Sequence, residues 1–375
     1  MIVTPEVIPA ADPTNLEAIE DAFRAQISPM RLFPGAALAI YHRGELVLDL
    51  VGGFADTQSG EQIIRDSLFP LFSGTKPFAA VALWQLIERG KLALDDRVAD
   101  YWPAFAANGK EEVLVRHILS HRGGFPTTPP ELDVRLWGDL EIVNRAIESM
   151  PLTHLPGTVP AYHFVTQHWV IAELIRRLDG RAFADYLSDE ITRPLGMSDT
   201  FVGVPVTRDG DVVKVHATDG ADEMSLAALR ETRSVPFHQM VIPGASGVST
   251  ARDMARFYAA IAAGGGLGGV NILKPDTVDR MMRIEIDGDI DVTFDAPVRR
   301  GLGFELGGIS DPRRHWPGAT STEQTFWHGG MGSSVSWADR DTGLAMAFAS
   351  NGIRRDAAGA IARRDLSDLV RSIFR

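Results

Sequence analysis

The chain has 375 residues, 45% of them hydrophobic, a formal net charge of -12 and no cysteine. That length buries a substantial core, the negative balance disfavours binding to phosphate backbones, and the missing cysteine excludes thiol catalysis, disulfides and thiolate metal sites. The first nine residues lack a basic region followed by an apolar stretch of about 7–15 residues, the mark of a secretory signal. No apolar run approaches the ~20 residues needed to span a bilayer. A cytoplasmic protein with no membrane partner is the expectation.

Residues 15–26 have helical periodicity. The apolar runs 36–41 and 45–51, joined by His42-Arg43-Gly44, predict a β-hairpin. After Leu71-Phe72-Ser73-Gly74-Thr75-Lys76-Pro77, the stripe Ala79, Ala80, Ala82, Leu83, Leu86 and Ile87 predicts a helix that Gly90 ends. Helical patterns dominate residues 91–200, including 170–178 before Gly180. The mixed polar stretch 202–242 assigns no element. Thr250 reads as the N-cap of a helix over 250–263. Strands are expected at 302–306, 333–338 and 344–349, the last two joined by the turn 339–343, and a helix at 357–374 closes the chain. Strands at both ends with helices between predict one sheet built from the two ends, interrupted by a helical insertion.

The chemistry-bearing signal is Ser73-Gly74-Thr75-Lys76. Residues three apart at a helix start share a face, so Lys76 can reach the Ser73 hydroxyl and accept its proton if burial depresses the amine. Only five lysines occur, and no other has serine three positions before it. The same four residues also describe an N-cap serine followed by a surface lysine, so the surrounding sequence decides.

Six segments carry a resemblance in chain order: Phe72-Ser73-Gly74-Thr75-Lys76-Pro77; the stretch 115–126; Pro156-Gly157-Thr158 followed by Tyr162; Pro194-Leu195-Gly196-Met197; the stretch 247–254; and Trp327-His328-Gly329-Gly330-Met331-Gly332. From about residue 20 to the end the chain resembles the class C β-lactamase and penicillin-binding-protein family, above all its esterase branch, the family VIII carboxylesterases. The resemblance implies an α/β (α+β) fold of β-lactamase/transpeptidase type. An antiparallel sheet flanked by helices would form one domain from 1–72 and 241–375. A mostly helical inserted domain would span 73–240.

The resemblance further implies Ser73 as nucleophile, Lys76 and Tyr162 as the proton-handling pair with the choice of base open, and an oxyanion hole from the backbone N–H groups of Ser73 and Met331, the latter following an edge strand. Substrate contacts are expected from His328, Gly329, Gly330, Phe125, Phe164 and Trp327, with Trp137 a further candidate. No metal or organic cofactor is implied. His117 and His121, four apart, lack the glutamate and third ligand of a zinc site and read as loop anchors.

Two departures bear on substrate. Tyr162-His163-Phe164 stands where the family often has Tyr-x-Asn, and Phe164 offers no hydrogen bond to a substrate amide. His328-Gly329-Gly330 stands where β-lactamases have Lys-Thr-Gly, and a neutral histidine holds a carboxylate weakly. Both point to a small-molecule ester with apolar parts. The enzyme alternatives are a β-lactamase, a D-amino-acid amidase or peptidase, and an acyltransferase. The non-enzyme alternative is a catalytically silent ligand-binding relative. Natural substrate and oligomeric state are not legible.

Overall fold

The computed structural model describes residues 3–7, 13–27, 32–308 and 316–374. Its centre is a ten-stranded antiparallel sheet. The order across it is Val3–Val7, Glu45–Asp56, Gly35–His42, Leu344–Ser350, Ser334–Asp339, Thr325–Gly330, Glu305–Leu306, Ala296–Arg300 and Ile286–Asp291, with Glu61–Gln62 added beside Glu45–Asp56. The two chain ends meet where Gly35–His42 pairs with Leu344–Ser350, Ile40 opposite Met346.

Both faces of this sheet are covered, which is why its central strands read as unbroken apolar runs rather than alternating ones. On one face Leu38, Ile40, Leu48, Leu50, Val335, Trp337, Met346 and Phe348 pack on Ile19 and Phe23 of the helix Pro13–Gln26 and on Leu366 and Val370 of Ala357–Ile373. On the other face the small side chains Ala37, Ala39, Ala345 and Ala347 pack with Met254, Tyr258 and Ile261 of the helix Ala251–Ala262. Between the sheet's two halves the chain is mostly helical, with Lys76–Ile87 and Thr166–Ile175, the greater part of the helices Lys76–Glu88 and Thr166–Asp179, buried in its core. Within 202–242, where the sequence predicted no element, lies the helix Glu223–Arg233, capped by Asp222. Strands Ile286–Asp291 and Ala296–Arg300 are likewise additions to the predicted set. No helix among the described residues is long and apolar enough to cross a membrane.

Thr250 caps its helix as predicted, accepting from the Asp253 N–H. The Asp253 carboxylate is buried and accepts from Asp199 N and Thr200 Oγ1. Burial pushes its pKa up to about 6. Below that value the folded state holds a proton that the unfolded chain releases near 3.8, so stability falls as pH rises from about 4 to 6, by about 3 kcal/mol. Asp253→Asn keeps an acceptor oxygen and removes the charge. It is expected to be more stable than the parent at pH 8 and no more stable at pH 4, as read by urea denaturation at the two pH values.

Candidate active site

The nucleophile candidate sits on a tight turn. The 3-10 turn Phe72–Thr75 runs directly into the helix Lys76–Glu88. The chain enters it through Phe72 at φ +48, a left-handed conformation that costs a non-glycine residue about 1–2 kcal/mol. Local bonds hold it there: Leu71 N donates to Gly247 O, Thr75 Oγ1 donates to Phe72 O, and Gly247 N donates to Thr75 Oγ1. The Phe72 ring packs with Leu229, Ile353 and Met331, so the turn, the helix Glu223–Arg233 and the loop after Gly330 share one small apolar cluster.

Lys76 is 1% exposed. Its Nζ lies 2.8 Å from Phe164 O, 2.8 Å from Gly244 O and 3.0 Å from Ser73 Oγ. Burial holds its pKa well below that of an ordinary lysine. The three contacts suit either protonation state. An ammonium donates to all three, whereas a neutral amine donates to the two carbonyls and turns its lone pair to the Ser73 hydroxyl. Desolvation favours the second arrangement, in which Lys76 is poised to accept the serine proton.

Tyr162 approaches Lys76 from a loop. Its ring stacks on His121, with centroids 4.6 Å apart and planes 18° apart, and Lys76 Nζ is 5.0 Å from its centroid. His121, at φ +60, accepts the His163 N–H on Nδ1 and meets Gln167 Nε2 through Nε2. Ala161 N donates to His121 O and Gly157 N to Arg122 O, so the segment 115–126 serves as backing for the Tyr162 loop. His117 accepts the Leu114 N–H at the start of its short helix. Both histidines anchor loops, and among the described residues no group of three or more His, Asp or Glu is placed to hold a metal.

The opposite wall is the strand Thr325–Gly330. The expected edge strand is interior: it pairs with Ser334–Asp339 on one side and Glu305–Leu306 on the other. The second ladder stops at Trp327, however, so His328 to Gly330 have a strand partner on one side only among the described residues. A Cβ at Gly330 would collide with Leu71 O, which shows how closely strand end and Ser73 turn approach. Met331 follows at φ +46 and Gly332 at φ +71, two left-handed residues that fold the chain back. His328 donates Nδ1–H to Gly329 O, which leaves Nε2 as an acceptor. Burial, with the Lys76 charge second, brings the His328 pKa down to about 4, so the ring is neutral at pH 7.

These elements enclose a cleft of about 530 Å³ lined mostly by apolar groups. Ser73, Tyr162, Phe164, Trp327, His328, Gly329, Met331 and Trp137 all line it. Phe125 does not: it is 1% exposed, packed on Phe105 and edge-on to His163, because the turn after His121 directs it into the helical core. Gly330 is not part of the lining either; it is the point of close packing beneath Leu71. Sequence reasoning missed Phe294, Trp316, the face of Glu223–Arg233 that carries Met224, Ala227 and Ala228, and Glu305. It also missed the fully buried pair of Arg300 with Asp291. No local pattern separates a buried charge from a solvated one, so only the packing reveals these.

The chain matches the beta-lactamase family over residues 16–369. It is 30% identical to the Mycobacterium tuberculosis esterase/beta-lactamase LipL over 369 residues, covering 92% of this chain and 83% of that one. It is 30% identical to the Burkholderia gladioli esterase EstB, covering 94% and 95%. Among solved structures, a family VIII carboxylesterase superposes with a TM-score of 0.86 at 27% identity over the whole of both chains. With the ordered motifs, the sheet closed by both chain ends and a serine-lysine pair at the head of a buried helix, these matches establish that the chain belongs to the beta-lactamase family.

Proposed function

We propose that this protein is a carboxylesterase that cleaves small apolar esters through an acyl-enzyme on Ser73. The observation that carries the reading is Lys76 Nζ, fixed by two backbone carbonyls and directed at Ser73 Oγ 3.0 Å away. Lys76 as amine takes the hydroxyl proton while Ser73 Oγ attacks the ester carbonyl. The N–H groups of Ser73 and Met331 receive the developing oxyanion. Tyr162 gives its proton to the departing alkoxide and regains one from the Lys76 ammonium. Water then enters, the same groups carry its proton in the reverse direction, and the acid leaves. Tyr162 belongs in this scheme because its ring adjoins both Lys76 and the cleft. Relatives named as esterases support the reaction class.

The neutral His328 and the apolar Phe164 favour esters over β-lactams, whose carboxylate and amide have no charged or amide partner at these positions. The test compares short and medium p-nitrophenyl esters with a chromogenic cephalosporin on purified protein, with intact-mass detection of a phosphonylated Ser73. Ester turnover at least about 100-fold above cephalosporin turnover, a difference of about 3 kcal/mol in transition-state binding, is expected. Comparable cephalosporin turnover would overturn the reading of His328 and Phe164. A chain that turns over neither and takes no label would be a silent ligand binder.

A further inference from the structure

A buried ion triad lies behind the catalytic tyrosine. Arg300, 2% exposed, ends the strand Ala296–Arg300. Its Nη1 donates to Asp291 Oδ2 at 2.6 Å and its Nε to Glu305 Oε1 at 2.8 Å. Both carboxylates are buried as well. The Arg300 guanidinium carbon lies 5.6 Å from the Tyr162 ring centroid, and Lys76 Nζ lies 5.0 Å from the same centroid. Two basic side chains thus neighbour one phenol.

The triad also holds the backbone of that residue. Asp291 Oδ1 accepts from Tyr162 N at 3.2 Å and from Thr293 N at 2.9 Å, and Thr293 Oγ1 donates to Tyr162 O at 3.2 Å. Both peptide groups of Tyr162 are therefore tied to the turn after Ile286–Asp291, and Arg300 fixes that turn through Asp291. Stability alone is a weak reason for such an arrangement. Taking three charges out of water costs about as much as their attraction returns, and apolar residues of similar volume often serve as well.

We propose that Arg300 is a positioning residue for proton transfer by Tyr162: it fixes the tyrosine against Lys76 through Asp291 and supports the negative charge left on the phenol oxygen. The proposal rests on the reading above, in which Tyr162 protonates the departing alcohol. In that step the phenol O–H bond breaks, the alcohol O–H bond forms and the charge rests on the phenolate until Lys76 returns a proton. The titratable groups around Tyr162 are Lys76 from the nucleophile helix, His121 beneath the ring, His328 across it, and Asp291 and Arg300 from two of the outer strands, with Glu305 joined to Arg300 from a third. Burial keeps His121 and His328 neutral near pH 7. The charges that remain are Lys76 when protonated and the triad, in which Arg300 is the cation.

The test uses Arg300→Gln, Arg300→Lys and Glu305→Gln in the full chain. Two quantities are read: kcat and KM on a p-nitrophenyl ester, and the ultraviolet titration of Tyr162. The titration is obtained as the difference between Ser73→Ala proteins with and without Tyr162→Phe. Arg300→Gln is expected to lower kcat by about tenfold or more while KM moves less than about twofold, and to displace the Tyr162 titration to higher pH. Arg300→Lys should restore most of that displacement, because charge is kept and only the fork geometry is lost. Glu305→Gln removes a negative charge and should move the titration the opposite way. An unmoved titration in Arg300→Gln and Glu305→Gln overturns the proposal, and if Arg300→Gln does not fold, Glu305→Gln decides alone. The two failures separate cleanly. A fully active Tyr162→Phe removes the underlying role of the tyrosine, whereas an inactive Tyr162→Phe with unmoved titrations removes only the role of Arg300.

Discussion

Ser73→Ala is expected to lower kcat on a p-nitrophenyl ester by about 10⁴-fold or more, with no loss of folded stability. Removing a nucleophile leaves only binding and oxyanion stabilisation to act on the substrate, and losses of that size are usual for such a step. Stability should hold because Ser73 Oγ is only one of three partners of Lys76, and the two carbonyl contacts remain. Lys76→Met should cost a comparable factor, about 10³–10⁴, while leaving the melting temperature close to that of the parent. The apolar side chain relieves the desolvation of a buried cation but leaves Phe164 O and Gly244 O without their donor, and these effects oppose each other. Steady-state kinetics and thermal melts on the two variants check this. If Lys76→Met kept activity within tenfold of the parent, the amine would not be the group that takes the serine proton.

A loss of stability on acidification is the second expected result. His163 and His328 are buried, the latter at the wall of the cleft, and burial brings both pKa values down to about 4 from 6.5. His121 and His168, beside them, are displaced in the same direction. For each, the unfolded chain takes up a proton between pH 6.5 and 4 that the folded chain refuses. Their contribution is therefore fully present above pH 6.5 and is lost as pH falls towards 4, by about 3 kcal/mol for each of His163 and His328. Asp253 opposes them in the same window with one contribution of about that size and opposite sign. The histidines outnumber it, so net stability should drop between pH 7 and 4.5. Urea denaturation across that range tests it. A flat profile would mean that these rings are not held neutral in the interior. His163→Asn, which cannot titrate, should show a shallower slope than the parent.

These expectations depend on different kinds of information. The Ser73–Lys76 pair was legible in the sequence because it is a short-range relation: three residues of helix rise set its geometry whatever the rest of the chain does. The same holds for the hairpin of Gly35–His42 and Glu45–Asp56 and for the Thr250 cap, where the groups that interact are close along the chain. Tyr162 was legible only through resemblance, since its partners His121, Asp291 and Thr293 come from distant segments. Phe125 was misplaced for the same reason. Its ring is equally at home in a cleft or a core, and the turn that sends it against Phe105 and His163 leaves no mark in local composition.

The sequence by itself carried the reaction class through the family resemblance of its ordered motifs, and the sheet closed by both chain ends through local periodicity. The tertiary structure alone decided three things. It lowered the pKa values of Lys76 and His328, by an amount that depends on how completely they are desolvated. It gave the strand Thr325–Gly330 its interior place and its free end at Gly330, which depend on register with strands far along the chain. It also joined Asp291, Arg300 and Glu305 into one ion triad behind Tyr162. In each case a charge or a strand edge takes its meaning from what surrounds it in space, and neighbours in space are not neighbours in sequence.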